Sequence, residues 1–227
     1  MMNLSRYSIR QLLVTIIGLF AVVIVLITSH QTYQAWRKLD QIQELRRAIT
    51  IADSLGDAVE ALAIERGIIY TMLGAKQNVG EHITLQLEEQ RQRTDDALQA
   101  ALTALDNYHE LPGVTDLLVI TRQRYVTVKS LRERVAGAME QRLAERDENL
   151  PDLWFNATTE MIMQTQALRM GFNQHFSNID PMITQHMLFK YFLWLVTEYA
   201  SRERAKIGYL IITDQTMSAE AQKQLLL

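Results

Sequence analysis

Between Arg10 and Arg37 the chain carries no Asp, Glu, Lys or Arg. Within that gap Leu12 to Ile27 is apolar except for Thr15 and Gly18. Crossing the hydrocarbon core of a bilayer takes roughly 17–25 mainly apolar residues. The stretch Ile9 to Ser29 supplies them, so residues 9–29 are expected to form a transmembrane helix. Arg6 and Arg10 precede it on a short tail. The positive-inside rule keeps that tail, residues 1–8, in the cytoplasm and sends everything after the span to the other side. A cleaved signal peptide is the competing reading. It is disfavoured because Ser29-His30-Gln31-Thr32-Tyr33 offers no small-x-small cleavage site. Tyr33 and Trp36 suit the outer interface, where amphipathic rings settle.

The remainder, residues 30–227, reads as helical. Only 3 prolines and 9 glycines punctuate 227 residues, which favours long helices over a sheet. From Leu45 the apolar positions Leu45, Ala48, Ala52, Leu55, Val59, Leu62, Ile69 and Leu73 repeat at alternating spacings of three and four, a heptad stripe. Ala75 to Glu81 is expected to be a loop. A second helix is expected over 82–108 and a third over 114–146, with Leu117, Thr121, Val128, Leu131 and Val135 inward. A fourth is expected over 153–177 and a fifth over 182–211, with Ser218 capping a last segment. Long helices joined by short loops make antiparallel bundles. The fold class is therefore all-α, a long-helix bundle with an N-terminal transmembrane helix. Five or six long segments exceed one four-helix bundle, and two tandem bundles sharing a long helix are an arrangement open to them. The seam at Leu45, Ala48 and Ala52 precedes the bundle without an obvious local partner, so it is expected to meet a second copy in a parallel homodimer.

Two cations interrupt apolar stripes. Arg66 stands between Leu62 and Ile69 on the first helix. On the fifth, the inward stripe reads Phe189, Leu193, Val196, Ala200, Ile207 and Ile211, and Arg204 sits in its gap. The surroundings repeat: Ala63-Ile64-Glu65-Arg66-Gly67 and Ser201-Arg202-Glu203-Arg204-Ala205 each lead into apolar helix with a tyrosine, Tyr70 and Tyr209. Two arginines from different helices can converge on one small oxyanion through planar donor forks. The competing reading is interhelical ion pairing, with Glu198, Glu203 or Glu65 answering them. Arg169 lies by a third stripe, Ile162, Gln166, Asn173 and Phe176, whose polar members suggest a solvated flank or a ligand-pocket wall. The tract 90–96 reads as a solvated face with local salt bridges. Met161, Met163, Met170 and Met182 read as core filling.

Catalytic and cofactor chemistry has no sequence support. Cysteine is absent, no histidine pair has metal-binding helical spacing, and there is no phosphate loop or nucleophile elbow. No metal, no cofactor and no enzymatic activity are expected. A net charge of -3 argues against nucleic acid as a partner.

The stretches LAIERGIIYTML and QRQRTDDALQAAL, with LFKYFLWLVTEYASRERAKIGYLI near the end, resemble the nitrate- and nitrite-sensing (NIT-like) domain of bacterial receptors. The resemblance covers about residue 50 to the end. It implies tandem helical bundles and an extracytoplasmic sensor region in the bacterial inner membrane, of the kind that precedes chemotaxis or diguanylate cyclase modules. No output module follows in the sequence. The family's ligand arginines lie in its two Glu-Arg motifs, which implies Arg66 and Arg204 here, with Ser201 replacing the family's usual glycine. The expected partners are the membrane, a second copy and a small ligand such as nitrate. A membrane-anchored helical scaffold without a small ligand is the alternative.

Overall fold

The structure is a computed structural model that describes residues 9–76, 81–108, 110–176 and 181–214. Its described residues form five α-helices: α1 (Ile9–Gly74), α2 (Glu81–Leu105), α3 (Val114–Met139), α4 (Leu150–Gln174) and α5 (Pro181–Ile212). Two short 3-10 turns, Asp106–Tyr108 and Leu143–Glu145, stand between α2 and α3 and between α3 and α4. The tail 1–8 and the segment expected after Ser218 lie outside the described residues.

The chain divides into two compact units, residues 1–47 and 48–227. In the first, Leu13 to Ile27 is solvent-exposed apolar helix. The helix it belongs to is the one among the described residues long and apolar enough to cross a membrane.

In the second unit the heptad stripe of α1 is buried throughout, from Ala48 through Leu55 and Leu62 to Leu73. The α2 stripe Leu87, Leu98, Ala101, Leu102 and Leu105 joins it. α3 buries Val114, Leu118, Thr121, Tyr125, Val128, Arg132 and Val135, an unbroken heptad series in which Leu118, not Leu117, is the deeper residue. α4 adds Trp154, Met161, Ile162, Leu168 and Phe172.

Several expectations need correction. α3 ends at Met139, seven residues short of the expected 146. The chain leaves the helix so that Arg146 can reach the end of α1, where its Nη1 donates to the carbonyls of Met72, Leu73 and Ala75 at 3.2, 3.1 and 3.2 Å. The last carbonyls of a helix lack partners within it, although that of Met72 also accepts from Ala75 N at 3.1 Å. α4 begins at Leu150 because Pro151 is tolerated in a first turn, whose N–H groups are unbonded in any case. Leu45, Ala48 and Ala52 are buried within the single chain, so they are not free to form a seam with a second copy. Of the four methionines, Met161 is buried whereas Met163 is exposed.

The largest departure is in α5. Phe189, Leu193, Val196, Ala200, Ile207 and Ile211, expected inward, are all exposed. The buried side carries Glu198 and Ala205 instead. Glu198 is drawn in by a buried arginine, and that ion pair fixes the rotation of the helix against its apolar stripe.

Candidate functional site

Glu65 and Arg66 are neighbours on α1, so their side chains leave the helix about 100° apart. Both are fully buried. Glu65 serves one buried cluster. It accepts from Arg132 Nε and Nη2 at 2.8 and 2.7 Å and from Arg91 Nε at 3.2 Å, while Arg132 Nη1 reaches Asp95 at 2.6 Å. These partners hold Arg132 charged; they raise its pKa above the usual arginine value even though burial, the largest single influence, pulls the other way. The tract 90–96 is therefore only partly a solvated face: Gln90 and Thr94 are buried, and Arg91 and Asp95 belong to this cluster.

Arg66 serves the other cluster. Its Nη1 donates to Glu198 Oε1 at 2.7 Å and to Thr159 Oγ1 at 3.0 Å; its Nη2 donates to Glu198 Oε2 at 3.1 Å and Ser201 Oγ at 3.4 Å. Arg202 Nε adds a bond to Glu198 Oε1 at 2.6 Å. The Arg66 guanidinium also lies 5.2 Å from the Phe155 ring centroid. Ion pairing thus accounts for why Arg66 can occupy a core position: the charge is matched and both terminal amino groups are bonded, while the buried Nε has no partner among the described residues.

The two Glu-Arg motifs lie side by side on helices running in the same direction. A Cβ on Gly67 would meet Ala205 Cβ at 3.8 Å, and one on Gly208 would meet Thr71 Oγ1 at 3.1 Å. Tyr70 and Tyr209 stack with centroids 4.5 Å apart. Burial pushes both phenols up in pKa, and Asp152, which accepts from Tyr70 Oη at 3.3 Å, pushes the same way. Arg204, at the position matching Arg66, points elsewhere. It is exposed and lines a cavity of about 600 Å³ with Ile64, Gly67, Ser201, Gly208 and Ile83. Arg204 has no carboxylate within 4 Å among the described residues. The two arginines therefore do not share a ligand-free pocket wall; Ser201 stands between them, bonded to Arg66 and lining the cavity with Arg204.

Arg169 is in a different place, half-buried on α4 by a cavity of about 500 Å³. The row Gln166–Asn173 beside it is buried, not a solvated flank.

Glu198 is one of the three carboxylates the sequence offers to the arginines, whereas Arg132, buried here, falls outside the inward positions expected for α3. The heptad 114, 118, 121, 125, 128, 132, 135 carried the signal, since it places Arg132 inward.

The family described as nitrate and nitrite sensing matches residues 57–226, which contain both motifs. No curated protein and no solved structure matches the chain.

Proposed function

Because the chain belongs to the nitrate- and nitrite-sensing family, we propose that it is the extracytoplasmic ligand-sensing region of a bacterial transmembrane receptor, of chemotaxis or cyclic-di-GMP type, whose ligand is a small oxyanion with nitrate as the first candidate. In this reading residues 9–29 anchor it in the inner membrane and the helical unit lies in the periplasm. The oxyanion enters the cavity walled by Arg204 and Ser201, with Arg66 directly behind. The supporting observation is local charge. Arg204 lines the cavity with no carboxylate within 4 Å among the described residues, whereas Arg66 and Arg202 are both paired to Glu198. An anion there gains charge-assisted bonds without breaking an existing pair.

The test is thermal unfolding of the full chain in nanodiscs with sodium nitrate, sodium nitrite or sodium chloride at equal ionic strength. Nitrate or nitrite is expected to raise the midpoint as binding stabilises the native state, by about 2.7 kcal/mol at a hundredfold excess over Kd, and chloride is not. Arg204→Met is expected to abolish that shift while leaving the ligand-free midpoint unchanged. If neither oxyanion shifts the wild-type chain, the scaffold reading stands instead.

The same reading places two copies side by side, and here α5 replaces the seam near Leu45. Phe189, Phe192, Val196 and Tyr199 recur at spacings of three, four and three, and are 63%, 54%, 69% and 55% exposed. Anchors in one membrane hold two copies parallel, so such a face meets its own counterpart. Because the chain has no cysteine, Val196→Cys is expected to give an interchain disulfide in oxidised membranes. Absence of cross-linking at positions 192, 196 and 199 alike would rule out this face.

A further inference from the structure

We propose that the cavity bounded by α1, α4 and α5 and headed by Arg169 is a second ligand site, taking a small monocarboxylate with an apolar body. It is separate from the Arg204 cavity and does not depend on the oxyanion reading.

The cation there is poorly answered. Among the described residues Arg169 makes one long hydrogen bond, from Nη1 to Gln166 Oε1 at 3.5 Å, and its buried Nε has no partner. No carboxylate lies within 4 Å of it among the described residues. The guanidinium rests on α1 at Gly56, where a Cβ would make ordinary van der Waals contact, 3.5 Å, with both Cζ and Nη1. Burial lowers the pKa of Arg169, with Asp53 and Asp57 opposing from further away, which is the behaviour of a cation short of close counter-charge.

The neighbouring polar atoms are also unspent. Gln166 Nε2 and Asn173 Oδ1 are buried without hydrogen-bond partners among the described residues. Together with Arg169 they stand at 166, 169 and 173, spacings of three and four that share one helix face. Of the five buried side-chain polar atoms without a partner among the described residues, these three share one face, and Arg169 and Asn173 line the cavity, which points to an occupant with matching oxygens. The amide of Asn173 can present either its oxygen or its nitrogen.

The rest of the cavity selects the ligand. Its volume is about 500 Å³, and Ile49, Ala52, Met187, Phe189 and Leu193 supply most of the wall. At the edge Lys190 Nζ holds Asp53 at 3.1 Å, neutralising the one carboxylate that lines the space. A planar carboxylate matches the guanidinium fork in two parallel bonds, and an attached ring or short chain covers the apolar wall. Nitrate offers the same planar oxygens but leaves that wall to water.

The experiment is thermal unfolding and calorimetric titration of the full chain in nanodiscs with benzoate, cyclohexanecarboxylate and benzamide. At least one carboxylate is expected to bind saturably and raise the midpoint, and benzamide, equal in shape but uncharged, is not. Arg169→Met is expected to lose the carboxylate response yet keep any nitrate response, the reverse of Arg204→Met. Should Arg169→Met not fold, Arg169→Lys retains the charge without the fork and is expected to weaken carboxylate binding on the order of tenfold. The proposal is overturned if neither carboxylate binds, if benzamide binds equally well, or if the Arg169 variant that folds binds carboxylate as the wild type does.

Discussion

Replacing Arg66 with methionine is expected to destabilise the ligand-free chain by about 3 kcal/mol, the lower end of the cost of breaking a buried ion pair by removing one partner. The lower end applies because Glu198, 2% exposed, keeps its bond from Arg202 at 2.6 Å. It loses both bonds from Arg66, and Thr159 and Ser201 lose a donor. For a domain of this size the loss corresponds to a fall in Tm of about 6–12 °C. Combining Arg66→Met with Glu198→Leu removes both charges and is expected to recover most of it, since an apolar pair can replace a buried ion pair at little cost. Arg204→Met, at an exposed and unpaired position, is expected to stay within about 0.5 kcal/mol of wild type. A ligand-free Arg66→Met chain as stable as wild type, or more so, would show that Arg66 is a repelled cation and not the anchor of α5.

The contrast between those two arginines marks where sequence reasoning stops. Both interrupt an apolar stripe, and both sit in a Glu-Arg motif. On α1 the stripe is the buried side: Leu55, Val59, Leu62 and Ile69 are all buried, and Arg66 is buried among them. On α5 the stripe is the exposed side, with Val196 at 69% and Ile211 at 71%. Periodicity reports that a helix has two faces. It does not report which face wins when the opposite one carries a carboxylate that a buried arginine requires. Leaving Arg66 unpaired in the core would cost several kcal/mol, whereas partial exposure of scattered apolar side chains forfeits about 25 cal/mol for each Å² left in water. The pair decides locally, and the apolar stripe is left exposed.

Helix positions were more legible than helix ends for the same reason. Heptad spacing is a property of one segment, and it foretold the buried series of α1. The end of α3 at Met139 depends on Arg146 meeting carbonyls at Met72, Leu73 and Ala75, some seventy residues away in sequence. No local signal encodes that contact. The Arg169 cavity lies between these cases: the polar row at 166, 169 and 173 was visible as a pattern, but its burial follows from how α1 and α5 flank α4.

Trp154→Ala is expected to have the largest effect of all, a loss of about 3–5 kcal/mol. Trp154 is the largest fully buried side chain described, at 0% exposure. Its indole Nε1 donates to the carbonyl of Arg66 at 3.3 Å, so the ring packs against the turn of α1 from which both ion clusters start. The carbonyl retains its place in the helix ladder, and the missing indole bond is therefore the minor part. The cavity is the major part: a Trp-sized void opens beside Phe155, whose ring meets that of Tyr70 at a tilt of 49° with centroids 4.9 Å apart and underlies the guanidinium of Arg66 at 5.2 Å. Collapse into the void would drag α4 toward α1 and displace Thr159 from Arg66, so relaxation itself disturbs the ion pair and cannot recover much of the loss. Trp154→Phe keeps an aromatic ring and most of the volume, and is expected to cost well under half as much. Urea unfolding of the two variants, followed by far-ultraviolet circular dichroism, separates these cases. If Trp154→Ala costs less than about 1 kcal/mol, the junction of α1 and α4 is not close-packed, and the geometry assigned to Arg66 fails with it.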